Sequence, residues 1–222
     1  ILWMSLRKRV DDSVYRDGTR VASFDQAADG VTVTLADGTV EQFDVLVGAD
    51  GYRSAVRGKT FPGTRPDYAG YVLWRGNLAE SRIADRDPLD EADASRSWNT
   101  ICFPGGHGVI YMIPGEENRA DIGHRRVNWA IYTKTPDGVS FDELGSVAPG
   151  TVSADLETQL HDLVAAHFPP WHAGLLGLTQ PDEISIQPIY DETTPGYVSG
   201  RVVLIGDAGT VTRPHTGSGA TK

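Results

Sequence analysis

Two stretches of sequence decide the fold: Asp44-Val-Leu-Val-Gly-Ala-Asp-Gly51 and Gly200-Arg-Val-Val-Leu-Ile-Gly-Asp-Ala208. Each is a short apolar run that ends in a turn of glycine and aspartate. Such runs are typical of strands that are buried on both faces of a parallel sheet. Ligands of open α/β sheets bind at the carboxyl ends of these strands, where glycine permits close approach and aspartate accepts hydrogen bonds from ribose hydroxyls. The pair indicates a nucleotide site, although either turn alone also fits a plain strand-to-loop connection.

The sequence between these stretches predicts a mostly antiparallel sheet. Strand patterns cover residues 71–77, 100–103, 109–113, 127–133 and 184–189, and they are separated by Gly, Pro and charged loops. The run of glycines and one histidine at 105–108 predicts the tightest turn. An amphipathic helix is predicted to begin at Ser153 and to stop at Pro169-Pro170. The acidic segment 82–97 is expected to form an exposed loop or short helix.

The chain before the first stretch also has a readable pattern. Residues 1–10 have the spacing of the end of an amphipathic helix, and 20–25 predict a strand. Residues 31–35 and 40–43 flank Asp37-Gly38, which is a strong hairpin signal. Together with the central sheet, these elements predict a mixed α/β fold in three sections, at 1–66, 67–190 and 191–222.

Composition narrows the function classes. The 222 residues are 40% hydrophobic and 23% charged, which fits one large or two small globular domains, and the net charge of -10 argues against nucleic acid as a partner. The single cysteine, Cys102, excludes an intramolecular disulfide framework and favours a cytoplasmic location. No apolar run approaches the length of a membrane span, so we expect no membrane-spanning helix. The start at Ile1, instead of Met, and the stop after a glycine-rich turn predict a piece of a longer polypeptide.

A third feature is the loop Arg213-Pro-His-Thr-Gly-Ser-Gly-Ala-Thr-Lys222, which precedes an expected helix. A helix N-terminus there would suit an anionic or electron-rich ligand edge. Gly217-Ser-Gly219 does not complete a Gly-x-Gly-x-x-Gly fingerprint, because Lys222 occupies the next required position. The histidines lack the spacing of paired metal ligands, so we expect no metal site.

These motifs resemble those of the single-component, FAD-dependent aromatic hydroxylases with the para-hydroxybenzoate hydroxylase fold. The first stretch, continued to Arg57, is similar to their Asp-Gly motif, and the second stretch is similar to their Gly-Asp motif; residues 44–57 are called the first motif below and residues 200–208 the second motif. Three further segments are most similar to the 2,6-dihydroxypyridine 3-hydroxylase group: Tyr68-Ala-Gly-Tyr-Val-Leu-Trp-Arg-Gly76, Val127-Asn-Trp-Ala-Ile-Tyr132 and Arg213-Pro-His-Thr216. The resemblance covers essentially the whole chain. The chain departs from the family because the opening Gly-x-Gly-x-x-Gly half is absent, and because Ala208-Gly209-Thr210 stands where many relatives have Ala-Ala-His.

The resemblance implies a fold and an activity. A Rossmann-like FAD-binding portion would comprise 1–66 and 191–222, and a β-sheet substrate domain would be inserted at 67–190. The enzyme would use NADH or NADPH and O2 to hydroxylate an electron-rich aromatic or hydroxypyridine ring through a flavin C4a-hydroperoxide. Alternatives left open are a non-catalytic fragment of such an enzyme and a related FAD epoxidase or oxidase. The partners would be a small aromatic substrate and O2, with a homodimer also open.

The resemblance also implies the cofactor residues. Asp207 would accept a hydrogen bond from the ribitol or ribose of FAD, Pro214 would lie against the isoalloxazine, and Val21 would contact the adenine region. Arg53 and Arg57 are candidates for the phosphates of NAD(P)H, or are solvated surface charges. The full cofactor set is Val21, Asp50, Gly51, Arg53, Gly206, Asp207, Pro214, Gly217, Gly219, Ala220 and Thr221.

The inserted sheet is expected to form one wall of the substrate pocket. Its candidate lining residues are Trp74, Arg75, Tyr111, Trp129 and Tyr190, each of which could instead be core packing. His215 and Tyr111 are the candidates for the catalytic group that takes a proton from the substrate. An imidazole can exchange a proton near neutral pH, although a loop histidine bonded to backbone is an equal alternative for His215.

Overall fold

A computed structural model describes residues 2–84, 98–141 and 145–216 of the chain. It divides into two compact units, one made of residues 1–67 and 190–222 and the other of residues 68–189. The mixed fold of helices and mainly antiparallel strands agrees with the prediction. Among the described residues, every helix is too short or too polar to cross a membrane.

In its described residues, the first unit contains two three-stranded sheets, the short strand β12 that pairs with β9, and two short α-helices. The helices are α1 (Leu2–Arg7) and α2 (Ala55–Thr60). The strands are β1 (Val21–Gln26), β2 (Val31–Leu35), β3 (Val40–Phe43), β4 (Leu46–Gly48), β10 (Val198–Ser199), β11 (Val202–Leu204) and β12 (Thr210–Val211). The antiparallel sheet β1-β2-β3 includes the predicted hairpin, whose turn uses Gly38 at φ +88°. Phe24, Val31, Val33 and Val202 form the buried core of this unit.

The two fold-deciding stretches form adjacent parallel strands, β4 and β11, in a sheet of order β10-β11-β4. Each stretch was predicted to be a buried strand of the kind found in parallel sheets, but burial on both faces was wrong for β4. Val47 is 51% exposed, whereas Val202 and Leu204 are buried. In the part of the chain that the structure describes, β4 is an edge strand, so one side of it has no neighbouring strand to bury its side chains.

The described part of the second unit contains five strands, in the order β9-β5-β8-β7-β6, of a six-stranded antiparallel sheet. Its strands are β5 (Asp67–Ala79), β6 (Asn99–Phe103), β7 (Gly106–Ile113), β8 (Arg126–Lys134) and β9 (Ile184–Thr193), of which the last residues of β9 belong to the first unit. Two helices, α3 (Ala154–His167) and α4 (Pro170–Gly177), contribute Leu160, Leu175 and other apolar side chains to a core on one face of the sheet. Ser153 caps α3 by accepting a hydrogen bond from the Leu156 amide at 3.4 Å.

One local prediction was wrong, and one helix was missed. The tight turn lies at Pro104-Gly105, and residues 106–108 already belong to β7, which pairs in register with β8. The helix predicted from Ser153 stops before Pro169-Pro170, as predicted, and Pro170 then begins α4, a second helix that was not predicted. Proline is favoured at that position, where its missing N–H would have no partner inside the helix. Most of the acidic segment 82–97 lies outside the described residues.

Candidate functional site: the paired Gly-Asp turns

The two Gly-Asp turns follow strands that lie side by side. Gly48 of β4 pairs with Leu204 of β11. A Cβ atom on Gly48 would come within 2.8 Å of Leu204 and of Val56, so glycine allows the two strands and α2 to pack this closely. Because the strands are parallel, their carboxyl ends place Asp50 and Asp207 at the same edge of the sheet.

Each turn contains a glycine that leaves the backbone accessible. Gly51 has φ +79° and Gly206 has φ +58°, in the left-handed region that residues with side chains rarely adopt. A Cβ atom built on either glycine would meet no atom within 4 Å. The space beside both residues is therefore open, and the backbone there can be approached closely by a flat or extended ligand.

The Asp50 carboxylate holds α2 in place. It accepts hydrogen bonds from Ser54 Oγ at 2.5 Å, from the Ala55 amide at 2.8 Å and from the Val56 amide at 3.2 Å. Ser54 is itself the N-cap and accepts from the Arg57 amide at 2.9 Å. Carboxylates at a helix N-terminus satisfy amides that have no partner inside the helix. Asp50 thus shapes the first turn, and its predicted contact with cofactor stays a prediction.

Arg57 is placed differently from the prediction. It is only 6% exposed, and its guanidinium turns inward to the second motif. Nη1 donates to the carbonyl oxygens of Asp207 at 2.9 Å and Ala208 at 3.1 Å, while Nη2 donates to the carbonyl oxygen of Tyr52 at 2.5 Å. A side chain held in this way is unavailable to the phosphates of a nicotinamide cofactor, so that reading of Arg57 was wrong.

Glu192 was missed in the sequence. Its Oε2 lies 2.5 Å from Nη2 of Arg57, and the two side chains are 2% and 7% exposed. Burial raises the pKa of the Glu192 carboxyl, and the charge and hydrogen bonding of Arg57 act in the opposite direction. A single acidic residue in a β-strand carries no motif, so only the three-dimensional structure brings Glu192 to Arg57.

The residues after the second turn are fixed by side chains that approach the backbone. Thr194 Oγ1 donates to the carbonyl oxygen of Gly196 at 2.8 Å or of Gly209 at 3.0 Å, and the Tyr197 hydroxyl lies 2.6 Å from Thr210 Oγ1. A Cβ atom on Gly209 would come within 2.8 Å of the Tyr197 ring. The departure from the Ala-Ala sequence of many relatives is therefore matched by a ring that occupies the space of the second methyl group.

The other predicted cofactor residues of this unit lie at its surface. Val21 begins β1 and is exposed, and the Arg53 guanidinium lies 5.3 Å from the centre of the Tyr52 ring. Pro214 and His215 are exposed in a short 3₁₀ turn, Pro214–Thr216. The remaining candidates lie outside the described residues: Gly217, Gly219, Ala220 and Thr221.

The predicted substrate residues are divided between the two faces of the sheet. Trp74 and Trp129 belong to the core on the helix-covered face, and the Trp129 indole is fully buried, with Nε1 donating to Thr179 Oγ1 at 2.9 Å. Gly76 provides the space for this ring. The expectation that both indoles line one pocket wall together with Arg75 therefore needs correction, because neighbouring strand residues point to opposite faces.

The opposite face of the sheet carries Arg75 and Tyr111. Nη1 of Arg75 donates to Gln187 Oε1 at 3.1 Å, and the Tyr111 ring stacks on Trp98 with 4.8 Å between centroids. Tyr132 lies on this face beside Leu73, Val109 and Ala130. Burial raises the pKa of the Tyr132 phenol, the positive charge of Arg75 opposes this, and Tyr111 adds to it.

The sequence analysis did not identify Tyr132 and Gln187 as neighbours of Arg75 and Tyr111 on this face of the sheet. The period-2 alternation from Trp129 to Tyr132 was the signal that could have found Tyr132, whereas nothing in the sequence linked Gln187 to Arg75. Tyr190, the remaining candidate, is half-buried and belongs to the first unit.

Similarity to known proteins agrees with this geometry. A family model described as FAD binding domain-like matches residues 68–163. The 2,6-dihydroxypyridine 3-monooxygenase of Paenarthrobacter nicotinovorans is 31% identical over 218 residues, which are 94% of this chain and 52% of that protein. The chain is similar to this monooxygenase and, through it, to the FAD-dependent aromatic hydroxylases. The predicted resemblance to this family is confirmed.

Solved structures support the relationship to these hydroxylases. The 2,6-dihydroxypyridine-3-hydroxylase from Arthrobacter nicotinovorans has a TM-score of 0.77 at 28% identity, with 98% of this chain and 56% of that chain covered. HpxO of Klebsiella pneumoniae, complexed with FAD and uric acid, has a TM-score of 0.64 at 26% identity and covers 97% of this chain and 50% of its own. The chain spans about half the length of the hydroxylases that it matches.

Proposed function

We propose that the protein is an FAD-dependent monooxygenase that uses NADH or NADPH and O2 to hydroxylate an electron-rich aromatic ring. A hydroxylated pyridine or a phenol is the proposed substrate class, because the relative from Paenarthrobacter nicotinovorans acts on 2,6-dihydroxypyridine by name. The observation that carries the proposal is the pair of Gly-Asp turns at the ends of the adjacent parallel strands β4 and β11.

The residues in these turns fit part of an FAD molecule. Gly51 and Gly206 have open space where side chains would stand, so backbone can contact an extended cofactor. Asp207 is half-buried, and a carboxylate there can accept hydrogen bonds from the ribitol or ribose hydroxyls. Arg53, which is exposed, is the proposed contact for the phosphates of the nicotinamide cofactor. Val21 and Pro214 are exposed and are proposed to contact the adenine and the flavin ring.

When bound, FAD would supply electron transfer from NAD(P)H to O2 and transfer of one oxygen atom to the ring. The protein side chains orient the substrate and move its proton. An imidazole nitrogen of His215 takes the proton from a substrate hydroxyl, or the Tyr111 hydroxyl relays it by accepting that proton while it donates its own to water, and loss of the proton makes the ring more electron-rich. The Arg75 guanidinium stabilises the negative charge that develops on the substrate oxygen.

A visible absorption spectrum of the purified protein, before and after incubation with FAD and desalting, tests cofactor binding. We expect the two-banded spectrum of a bound flavin. Asp207→Asn should weaken binding, because an amide is a poorer acceptor than a carboxylate, whereas Asp29→Asn at an exposed loop position should not. A protein that is colourless after incubation with FAD and desalting would contradict the proposal.

The reaction is tested by the mass of the product. Hydroxylation adds one oxygen atom to the ring for each NAD(P)H consumed, so 2,6-dihydroxypyridine or a phenol should gain one oxygen. Peroxide release without a product would instead support an uncoupled oxidase, and oxygen addition across a double bond would support an epoxidase. A cytoplasmic location and a homodimer remain predictions, the latter to be tested by sedimentation.

A further inference from the structure

Both terminal nitrogens of the Arg57 guanidinium contact other residues. Nη1 donates to two carbonyl oxygens of the second motif, those of Asp207 and Ala208. Nη2 donates to the Tyr52 carbonyl oxygen in the first motif and forms the ion pair with Glu192. Three of these contacts are hydrogen bonds to carbonyl oxygens, and the contact with Glu192 is an ion pair between buried side chains. One side chain therefore binds the backbone of both motifs at once.

These contacts fix the backbone of the second turn. A trans peptide is planar, so a carbonyl oxygen that is held in place also fixes the orientation of the amide that follows it. Arg57 holds the planes of two consecutive peptides, those that follow Asp207 and Ala208. Thr194, whose hydroxyl contacts the Gly209 carbonyl, and Tyr197, whose hydroxyl lies 2.6 Å from Thr210 Oγ1, also hold the chain in this region. The direction of the Asp207 side chain thus depends on the position of Arg57.

Burial of the Arg57 charge requires a counter-charge. A buried cation without a partner is strongly destabilising, and carbonyl dipoles compensate only part of its lost hydration. Glu192 supplies the negative charge at 2.5 Å. The backbone at Glu192 is itself fixed, because Glu192 of β9 pairs with Val211 of β12, which follows directly on the second turn. The counter-ion and the turn are therefore held by the same short segment of sheet.

We propose that Arg57 and Glu192 are positioning residues that hold the Gly-Asp turn in the conformation that receives FAD. The proposal rests on the proposed cofactor, but the effect on the turn can be measured without it. Lysine cannot replace Arg57. The planar guanidinium fork reaches two separate pairs of acceptors, whereas a single ammonium group cannot. Glutamine at Glu192 keeps the shape of the side chain and removes its charge.

The test is hydrogen exchange of the FAD-free protein, followed by mass spectrometry of the peptide that contains residues 203–212. In Arg57→Lys and Glu192→Gln we expect exchange in this peptide to be faster by about tenfold or more, which is the effect of losing one hydrogen bond to a charged group. The hairpin peptide 31–43 should exchange at the wild-type rate. Faster exchange in both peptides would indicate general destabilisation and would overturn the positioning role.

The exposed ion pair Arg16–Glu41 provides matched controls in the same unit. It also has N–O distances of 2.5 and 2.7 Å, but Arg16 is 55% exposed and the pair contacts neither turn. Arg16→Lys and Glu41→Gln should leave exchange of the 203–212 peptide unchanged. An equal effect of the controls would also overturn the proposal.

FAD affinity is the second measurement. We expect Arg57→Lys and Glu192→Gln to raise the dissociation constant of FAD by about tenfold, with the two control variants at the wild-type value. Faster exchange of the turn with unchanged FAD affinity would overturn the link to the cofactor. If the wild-type protein binds no FAD, the proposed function fails, and the exchange experiment still decides whether Arg57 and Glu192 hold the turn.

Discussion

The guanidinium of Arg57 lies 2.9 Å from the carbonyl oxygen of Asp207, although 150 residues separate them in the chain. The first motif contributes the Arg57 side chain, and the second motif contributes the backbone carbonyl that accepts its hydrogen bond. The two motifs therefore form a single structural element. The register of β4 and β11 alone would bring the turns near each other. The buried arginine then fixes one turn relative to the other, which strand pairing does not do.

Gly76 lies directly under the fully buried indole of Trp129. A Cβ atom at Gly76 would stand 2.4 Å from Cζ2 of the ring, and a ring enclosed by the core has no space to shift into. We predict that Gly76→Ala lowers the free energy of unfolding by about 1–3 kcal/mol, as measured by urea denaturation. Gly174→Ala is the control, since its Cβ would meet nothing within 4 Å in α4 and alanine favours a helix. Equal effects of the two substitutions would contradict this explanation.

Glu80 is fully buried and binds the backbone and side chain of a neighbouring loop. It accepts from the Gly123 amide at 2.8 Å and from Arg125 Nε and Nη2 at 2.9 and 2.5 Å. We predict that Glu80→Gln costs about 3–5 kcal/mol of unfolding free energy, because it leaves the Arg125 charge buried without its partner. The exposed pair Arg119–Asp121 is the comparison, and Asp121→Asn should leave the free energy of unfolding close to the wild-type value, because solvent screens an exposed pair. Similar losses for Glu80→Gln and Asp121→Asn would show that burial of the pair is unimportant.

The Glu183 carboxylate should make stability depend on pH in the acid range. Burial tends to raise its pKa, but hydrogen bonds from Arg82 and the Gln180 amide outweigh this and lower the pKa below the usual 4.5. The unfolded chain therefore takes up the proton first as pH falls. This contribution is complete above the unfolded pKa and is lost as pH falls through the folded pKa.

We predict that Glu183→Gln removes about 1–2 kcal/mol near neutral pH and little at about pH 3. Urea denaturation across that range measures the difference between variant and wild type. The two stability curves should converge towards acid, and a constant separation at all pH values would show that the carboxylate charge is not responsible.

The positions of Trp74 and Arg75 show what the sequence could predict about the site. Consecutive residues of a strand point to opposite faces, so these two could not both line one wall, and the alternation was already present in the sequence. Arg57 could not be assigned in the same way. An arginine in a first helical turn is exposed by default, and only its approach to Asp207 and Glu192 reveals that it is buried. Local periodicity thus predicted the strands, while partners distant in sequence decided the role of the charges.

Tyr111 tests the substrate face of the second unit. Tyr111→Phe keeps the ring that stacks on Trp98 and removes the hydroxyl that is proposed to take the substrate proton. We predict about a 10²-fold loss of hydroxylation rate, a larger share of peroxide among the products and unchanged FAD affinity. Tyr71→Phe removes a hydroxyl near Tyr132 on the same face and should retain the wild-type rate. A wild-type rate in Tyr111→Phe across the pH range would exclude this phenol and leave His215 as the proposed proton acceptor.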